Sequence, residues 1–202
     1  MIYYVDFDRT IFDTQSFSED IYEILEKYHI PKEVFIKKSF EVDEFNPYKI
    51  LNLLEDDYPF SSNLFVDIDR LVEKSMVYLY YDALVFLRDI KKKGHTLVLL
   101  TKGDAEFQNN KIDHTDIRKI FDKVIITSED KGNLNIDYRG IFIDDKIKEI
   151  ESILTRNPYK VYLIDREHQY DKVNNEKIIL IHSLKEVELW RTCNSSFSFS
   201  YI

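Results

Sequence analysis

The sequence predicts an α/β fold, in which a doubly wound parallel sheet is flanked by helices and carries a small all-helical insertion. Two patterns support this prediction. After Gly94, short apolar runs alternate with helical segments, which is typical of parallel strands covered by helices. Between the first apolar run and Tyr80, apolar residues recur at three- and four-residue steps, without a clear strand pattern. A chain of 202 residues, 44% of them hydrophobic, can build one such domain with its insertion.

The predicted strands are short apolar runs. The first covers residues 1–5, and the second is the run in HTLVLLT, which ends at Thr101. KVIIT, GIFIDD, KVYLIDR and KIILIHS follow in this order. A helix is predicted at residues 146–154, between the fourth and fifth runs. A helix between two strands allows them to lie parallel in one sheet.

Residues 15–80 form the predicted insertion. SEDIYEILEKYHI places Ile21, Ile24 and Leu25 at helical spacing, with Ser18 as the expected N-cap. PKEVFIKKSFEVDEF and NPYKILNLLEDDY predict further short helices. The stretch that begins at NLFVDIDR and ends in KKKG predicts two helices, divided near residues 80–82.

Composition limits the classes of partner. The net charge of -9 argues against a nucleic acid or an anionic membrane as partner, because both need clustered Lys and Arg. A small anionic substrate remains compatible, since a metal ion can supply local positive charge. The single cysteine, Cys193, excludes an intrachain disulfide. Neither a transmembrane run nor a secretory signal is apparent, so a cytoplasmic location is expected. The oligomeric state stays open, and a monomer is compatible with the sequence.

Chemically active residues stand at the carboxyl ends of the predicted strands, where open parallel sheets bind ligands. At three of these ends the residues are Asp6 and Asp8, Thr101 and Lys102, and Asp144 and Asp145. Carboxylates that meet at one edge repel each other unless a cation lies between them. Mg²⁺ takes oxygen ligands and often bridges carboxylates to a phosphate. The strand ends therefore predict a magnesium site beside a bound phosphate. Another strand ends in Asp165 and Arg166, which we interpret as a structural pair.

In their order along the chain, these residues resemble the motifs of the haloacid dehalogenase-like hydrolase superfamily. Its first motif, Asp-x-Asp-x-Thr after a buried strand, is matched by Asp6, Asp8 and Thr10. Arg9 stands where the family usually has Gly. Its second motif, a Ser or Thr at a strand end, is matched by Thr101.

The later motifs of the superfamily have counterparts in the second half of the chain. The fourth motif is an acidic pair at a strand end with a further acid about four residues on, matched by Asp144, Asp145 and Glu149. The third motif is a lysine, which we place at Lys131 in SEDKGNLNI, with Lys102 and Lys123 as the alternatives.

The resemblance implies a division of the chain into domains. A Rossmann-like core would comprise residues 1–14 and 81–192. A helical cap, inserted after the first strand, would comprise residues 15–80. No role is assigned to the tail at residues 193–202.

The resemblance also implies roles for the site residues. Asp6 would attack phosphorus and form an aspartyl-phosphate, and Asp8 would act as general acid and then as general base. Family members that only dehalogenate carry another residue at the position of Asp8. The implied Mg²⁺ ligands are Asp6, the main-chain carbonyl of Asp8, and Asp144 or Asp145. The candidate phosphate-binding residues are Thr101, Lys102 and Lys131.

The leading functional interpretation is a Mg²⁺-dependent phosphatase that acts on a small phosphorylated metabolite. A phosphomutase or phosphotransferase could use the same residues, and a catalytically weak binding protein could keep the same fold. A receiver-type signalling domain also combines acids, a Thr and a Lys on a similar sheet. In such domains, however, the acidic pair precedes the phosphorylated aspartate, whereas in this chain the acidic pair comes late.

Overall fold

The computed structural model describes residues 1–170 and 172–189, and its centre is one sheet of six parallel strands. The strands lie in the order β3-β2-β1-β4-β5-β6. Their bounds are Ile2–Val5 for β1, Thr96–Lys102 for β2, Lys123–Thr127 for β3, Ile141–Asp144 for β4, Lys160–Ile164 for β5 and Ile178–Ile181 for β6. The predicted doubly wound, Rossmann-like α/β fold is confirmed.

Helices cover both faces of this sheet. Their bounds are Thr14–Lys27 for α1, Lys32–Ser39 for α2, Pro47–Asn52 for α3, Asn63–Glu73 for α4, Tyr81–Lys92 for α5, Ala105–Asp113 for α6 and Ile147–Leu154 for α7. Short 3₁₀ helices occupy Ser75–Tyr78, Arg118–Ile120, Lys131–Asn133 and Leu184–Glu186. Among the described residues, none of the helices is both long and apolar enough to cross a bilayer.

The central strand β1 lies at the point where the connections turn to opposite sides. Val5 is in register with Leu99 of β2 on one side and with Ile143 of β4 on the other. The amide of Asp6 extends this pairing by donating a hydrogen bond to the Ile143 carbonyl at 2.9 Å. Side chains that follow β1 and β4 therefore emerge together in the crevice at the switch point, where such sheets bind ligands.

The insertion between β1 and α5 contributes helices α1 to α4 and no strand to the six-stranded sheet. Its first helix begins at Thr14, and Ser18 lies inside it, so Ser18 as N-cap was wrong. Asp13 caps the helix instead, because its carboxylate accepts a hydrogen bond from the amide of Ser16 at 3.0 Å. The predicted break lies near residues 80–82, since α4 ends at Glu73, a 3₁₀ turn follows, and α5 begins at Tyr81. The division of the chain into core and cap remains a prediction.

Alternation along the strands produces two apolar clusters, one on each face of the sheet. Tyr3 and Val5 of β1 join the larger cluster, which contains buried residues of α5, α6 and the inserted helices. Tyr4 joins the smaller cluster, which contains Ile150 and Ile153 of α7. The larger cluster is continuous from the sheet into the insertion, so the two parts share one apolar core.

Candidate active site

Three carboxylates meet at the carboxyl ends of β1 and β4. Asp6 directly follows β1, Asp144 is the last residue of β4, and Asp145 follows it. One oxygen of each carboxylate lies within 4.8 Å of the others. Asp6 and Asp144 are buried, and Asp145 is partly buried. The parallel register causes the meeting, because Asp6 and Asp144 follow the paired residues Val5 and Ile143.

The ammonium of Lys131 lies between two of these acids. Its Nζ is 2.6 Å from Oδ1 of Asp6 and 2.5 Å from Oδ2 of Asp144. The main chain of Lys131 is fixed as well. Its amide donates to Oε2 of Glu149 at 2.8 Å, and its carbonyl accepts from the hydroxyl of Tyr138 at 2.7 Å. A lysine held this firmly presents its charge to Asp6 in one geometry.

Of the three lysines considered for this position, the structure brings Lys131 to the acids. Lys102 instead lies 3.0 Å from a carboxylate oxygen of Asp130 and 3.5 Å from one of Glu149. Lys123 is the first residue of β3 and is exposed at the opposite edge of the parallel sheet. Geometry therefore favours Lys131 over both alternatives.

Burial and mutual repulsion shift the pKa values in this cluster. Burial raises the pKa of Asp6 to about 6, with the Lys131 ammonium opposing the rise and the Asp144 charge adding to it. Burial also raises the pKa of Asp145 to about 8, supported by the charges of Asp6 and Asp144. Burial alone would lower the pKa of Lys131, but the charges of Asp144 and Asp6 outweigh it and raise that pKa. The raised pKa values of Asp6 and Asp145 indicate that the single ammonium does not balance the negative charge of the three carboxylates.

The residues of this cluster fit a divalent cation. Three carboxylates and one ammonium sum to two formal negative charges (−3 and +1). Carboxylate oxygens are the ligands that Mg²⁺ prefers, and a bound divalent ion would lower the raised acid pKa values. Asp6, Asp144 and Asp145 could therefore hold Mg²⁺ through their side chains.

Asp8 has different surroundings from Asp6. Its Oδ1 accepts hydrogen bonds from Nζ of Lys111 at 2.6 Å and from Oγ1 of Thr14 at 2.9 Å. Its Oδ2 accepts from Nε2 of Gln108 at 2.5 Å. Burial alone would raise the pKa of Asp8, but the charge of Lys111 and these hydrogen bonds lower it. The Asp8 side chain is not part of the three-carboxylate cluster, so its predicted contribution to metal binding is its main-chain carbonyl.

The two threonines of the motifs are both buried. Oγ1 of Thr101 lies 3.5 Å from Nε2 of Gln108, which links this strand end to Asp8. The carbonyl of Thr10 accepts a hydrogen bond from Arg166 at 2.7 Å.

The interpretation of Arg166 as the partner of Asp165 was wrong, because the Arg166 guanidinium pairs with Asp82 at 2.9 Å.

Arg9 lies between Asp8 and Thr10, where the family usually has a glycine, and its backbone conformation explains that preference. Its φ is +57°, in the left-handed region that side chains with a Cβ avoid. The loop imposes this conformation, because the Arg9 amide donates to the carbonyl of Phe12 at 2.8 Å and lies 3.1 Å from Oγ1 of Thr14. Arg9 thus keeps the glycine conformation and adds an exposed guanidinium at the rim of the site.

Sequence reasoning missed Gln108 and Lys111. Both lie on α6 and are buried, although they are three residues apart in a helix with polar neighbours. The sequence offered one signal for them. Residues three apart share a face of a helix, and this helix directly follows the strand end at Thr101, so that face could be expected to lie near the site. A buried lysine and a solvated one nevertheless have the same sequence pattern.

A cavity of about 480 Å³ adjoins the site acids Asp8 and Asp145. Asp8, Lys111 and Asp145 line it from the sheet side, whereas Tyr22 and Phe45 line it from the insertion. A second cavity of about 550 Å³, lined by residues 41–44 and 126–128 among others, contains none of the clustered acids. We assign the site to the first cavity because Asp8 of the first motif and Asp145 of the acidic cluster both line it.

The fold and the acidic site define a Rossmann-like α/β protein with clustered carboxylates at the carboxyl end of its central strand. The chain belongs to the haloacid dehalogenase-like hydrolase family, whose model matches residues 3–134. No curated protein sequence matches the chain.

Solved structures with the same fold are distant in sequence. A haloacid dehalogenase-like protein from Burkholderia xenovorans LB400 has 17% identity and a TM-score of 0.71, with 91% of this chain and 92% of that chain covered. A HAD phosphatase from Thermococcus onnurineus has 17% identity and a TM-score of 0.62, with 92% and 94% covered. YfnB from Bacillus subtilis, bound to magnesium, has 14% identity and a TM-score of 0.62, with 92% and 95% covered. Dehalogenases also match, so the likeness supports the fold and leaves the reaction to be argued from the site.

Proposed function

We propose that the protein is a Mg²⁺-dependent phosphatase that hydrolyses a small phosphorylated metabolite through an aspartyl-phosphate at Asp6. The observation that carries the proposal is the position of Asp6 at the end of the central strand, with Asp144 and Asp145 beside it and Lys131 at 2.6 Å. This arrangement supplies Asp6 as a nucleophile, carboxylate ligands for a divalent cation, and the ammonium of Lys131 to bind a phosphate group.

In the first step, an oxygen of Asp6 attacks phosphorus as the bond from phosphorus to the leaving oxygen breaks. Lys131 and Thr101 would hold the phosphoryl oxygens through charge and hydrogen bonding. Lys102 is the weaker candidate for this role, because its ammonium lies near Asp130 and Glu149. Bound Mg²⁺ would offset the charge repulsion between the phosphoryl group and the three carboxylates.

Asp8 would give its proton to the leaving oxygen in this step. The Lys111 ammonium and its other donors hold the pKa of Asp8 low in the structure. A phosphate dianion beside Asp8 would raise that pKa, because like charges disfavour the ionised form. Substrate binding would therefore prepare Asp8 to act as general acid.

In the second step, water hydrolyses the aspartyl-phosphate. Asp8, now ionised, would take a proton from the water as its oxygen attacks phosphorus, and inorganic phosphate and Asp6 would be released. The presence of Asp8 supports phosphoryl transfer over dehalogenation, by the resemblance described above. A small phosphorylated substrate and a cytoplasmic location, without nucleic acid or membrane as partner, remain part of this proposal.

The test is a panel of phosphate esters assayed for phosphate release with Mg²⁺ and with a chelator, using the wild type and Asp6→Asn. We expect Mg²⁺-dependent release by the wild type. We expect none by Asp6→Asn, because an amide is a far weaker nucleophile. Circular dichroism of the variant should match the wild type. Asp137→Asn is the matched control, since Asp137 lies before β4 and pairs with Arg139. Normal turnover by Asp6→Asn would refute the proposal.

A further inference from the structure

Lys111 is a buried cation whose charge is directed at one side chain. Its side chain is 4% exposed, and its Nζ lies 2.6 Å from Oδ1 of Asp8. Among the described residues, Asp8 is the only carboxylate within ion-pair distance of this ammonium. The ammonium is otherwise surrounded by aromatic rings, with centroids at 5.1 to 5.9 Å, which belong to Phe7, Phe12, Phe17 and Phe107.

Such surroundings restrict where the ammonium can point. Aromatic faces attract a cation, but they do not replace the hydrogen bonds that it loses on leaving water. A buried charge needs a partner of opposite sign, and removal of one partner from a buried pair is strongly unfavourable. The rings therefore confine the Lys111 side chain, and the Asp8 carboxylate supplies the counter-charge.

Gln108 holds the other oxygen of Asp8 from the same helix. Its Nε2 lies 2.5 Å from Oδ2 of Asp8 and 3.3 Å from the carbonyl of Lys102. Gly103 makes room for this amide, because a Cβ at Gly103 would lie 2.9 Å from Nε2. Gln108 and Lys111 are three residues apart on α6, so one helix face fixes both oxygens of one carboxylate.

We propose that Lys111, supported by Gln108, is the positioning residue that aims the Asp8 carboxyl group at the leaving oxygen of the substrate. The proposal rests on the proposed phosphatase function. Lys111 acts through Asp8 and takes no part in bond formation at phosphorus. Misplacement of a reacting group by about 1 Å can cost on the order of 100-fold in rate, which is the size of effect expected when the support is removed.

The experiment compares kcat/KM of the wild type and Lys111→Met on an alkyl phosphate and on an aryl phosphate with a good leaving group. Methionine keeps the length of the side chain and removes the charge. The value of kcat/KM depends on the steps up to and including departure of the leaving group. We expect kcat/KM to fall by roughly 10- to 100-fold on the alkyl ester and less than about threefold on the aryl ester, because only the alkyl oxygen needs a well-placed proton donor.

Two further variants define the outcome. Lys160→Met is the matched control, because Lys160 also has an ion pair, to Glu188 at 2.8 Å, and a contact with an aromatic ring, that of Tyr162. This variant should leave both kcat/KM values unchanged. Gln108→Leu should lower the alkyl-to-aryl ratio in the same direction as Lys111→Met, and it replaces Lys111→Met if that variant does not fold. An equal loss on both esters, or no loss, would overturn the proposal.

A crystal structure of Lys111→Met separates this proposal from the proposed function. We expect the Asp8 carboxylate to shift or take several orientations, while Asp6 and Asp144 stay in place. An unchanged Asp8 would overturn the positioning role even if the wild type hydrolyses no phosphate ester. A wild type that is inactive on every ester, with a displaced Asp8 in the variant, would refute the phosphatase function alone.

Discussion

Asp6 and Asp8 are two residues apart, yet their surroundings shift their pKa values in opposite directions. Asp6 is buried beside two further carboxylates, and its pKa rises to about 6. Asp8 is partly buried beside an ammonium and two neutral donors, and its pKa falls. The proposed roles require the reverse, with Asp6 ionised and Asp8 protonated. A divalent cation at Asp6 and a phosphate near Asp8 would each supply the missing change, because each alters the local charge at that residue.

The first prediction concerns magnesium and pH. Asp6 and Asp145 have pKa values of about 6 and about 8 in the folded protein, both raised above their ordinary value. These two groups therefore bind more protons in the folded state than in the unfolded state, and the stability that they contribute falls as pH rises from about 4 to about 8. Mg²⁺ should restore that stability by binding the ionised carboxylates. The increase in melting temperature on adding Mg²⁺ should thus be larger at pH about 8 than at pH about 5.5.

The control for this prediction is Asp145→Asn, measured by differential scanning fluorimetry at matched ionic strength. The variant has one carboxylate fewer in the cluster, so the Mg²⁺ effect should be smaller and should depend less on pH. A Mg²⁺ effect of equal size at both pH values in the wild type would contradict the assignment of these acids to a metal site.

The second prediction concerns Asp8→Asn. Attack by Asp6 can still occur when the leaving group is a good one, but no base remains to activate water. The aspartyl-phosphate should therefore accumulate on an aryl phosphate, and steady-state turnover should fall by roughly 10²- to 10⁴-fold. Mass spectrometry after brief exposure to the aryl ester should find a phosphorylated peptide that contains Asp6. If Asp8 merely caps a turn, turnover should instead be normal and no phosphorylated peptide should appear.

At the scale of secondary structure, the strands were more predictable than the contacts between elements. Apolar runs such as HTLVLLT identify buried strands because the period and length of the run are local properties. The convergence of Asp6 and Asp144 follows from the rule for parallel strand ends. The pairing of Lys111 with Asp8 depends instead on how α6 packs, and no local pattern distinguishes it. The helix start at Thr14 was missed because Asp13, Ser16 and Ser18 are all common capping residues.

The third prediction concerns the 3₁₀ helix Lys131–Asn133, which carries the lysine nearest to Asp6. Gly132 packs so closely on α7 that a Cβ would lie 2.2 Å from Oγ of Ser152 and 2.5 Å from its carbonyl oxygen. The serine hydroxyl could rotate away, but the backbone oxygen could not. Gly132→Ala should therefore lower the free energy of unfolding by about 1–3 kcal/mol and displace Lys131. Urea denaturation and Mg²⁺-dependent turnover should both show the loss.

Gly94→Ala is the comparison for this variant. Gly94 has a φ of +72° with no atom within 4 Å of an added Cβ, so the substitution introduces backbone strain without a clash. It should cost about 1–2 kcal/mol in stability and leave turnover of the folded protein unchanged. Normal turnover by Gly132→Ala would show that the turn does not fix Lys131.

At the scale of the whole molecule, the sheet and the inserted helices share one apolar cluster. Phe17 of α1 belongs to this cluster, with its ring centroid 5.3 Å from Phe12, 5.2 Å from Tyr78 and 6.3 Å from Phe107 of α6. Asp104, which precedes α6, also binds Lys49 of α3 at 2.7 Å. Apolar and polar contacts thus connect the insertion to the rest of the chain, although the exposed position of the Lys49 side chain weakens the ion pair.

The last prediction is that the insertion and the sheet unfold together. Because Phe17 is 1% exposed and contacts rings from both parts, Phe17→Ala should lower the free energy of unfolding by about 3–5 kcal/mol. Far- and near-ultraviolet circular dichroism should report one coincident urea transition in the wild type, shifted as a whole in the variant. Phe40→Ala is the control, since Phe40 is 83% exposed in the same insertion and its loss should change stability by less than about 0.5 kcal/mol. Two separate transitions, with Phe17→Ala shifting only one of them, would show that the inserted helices fold independently of the sheet.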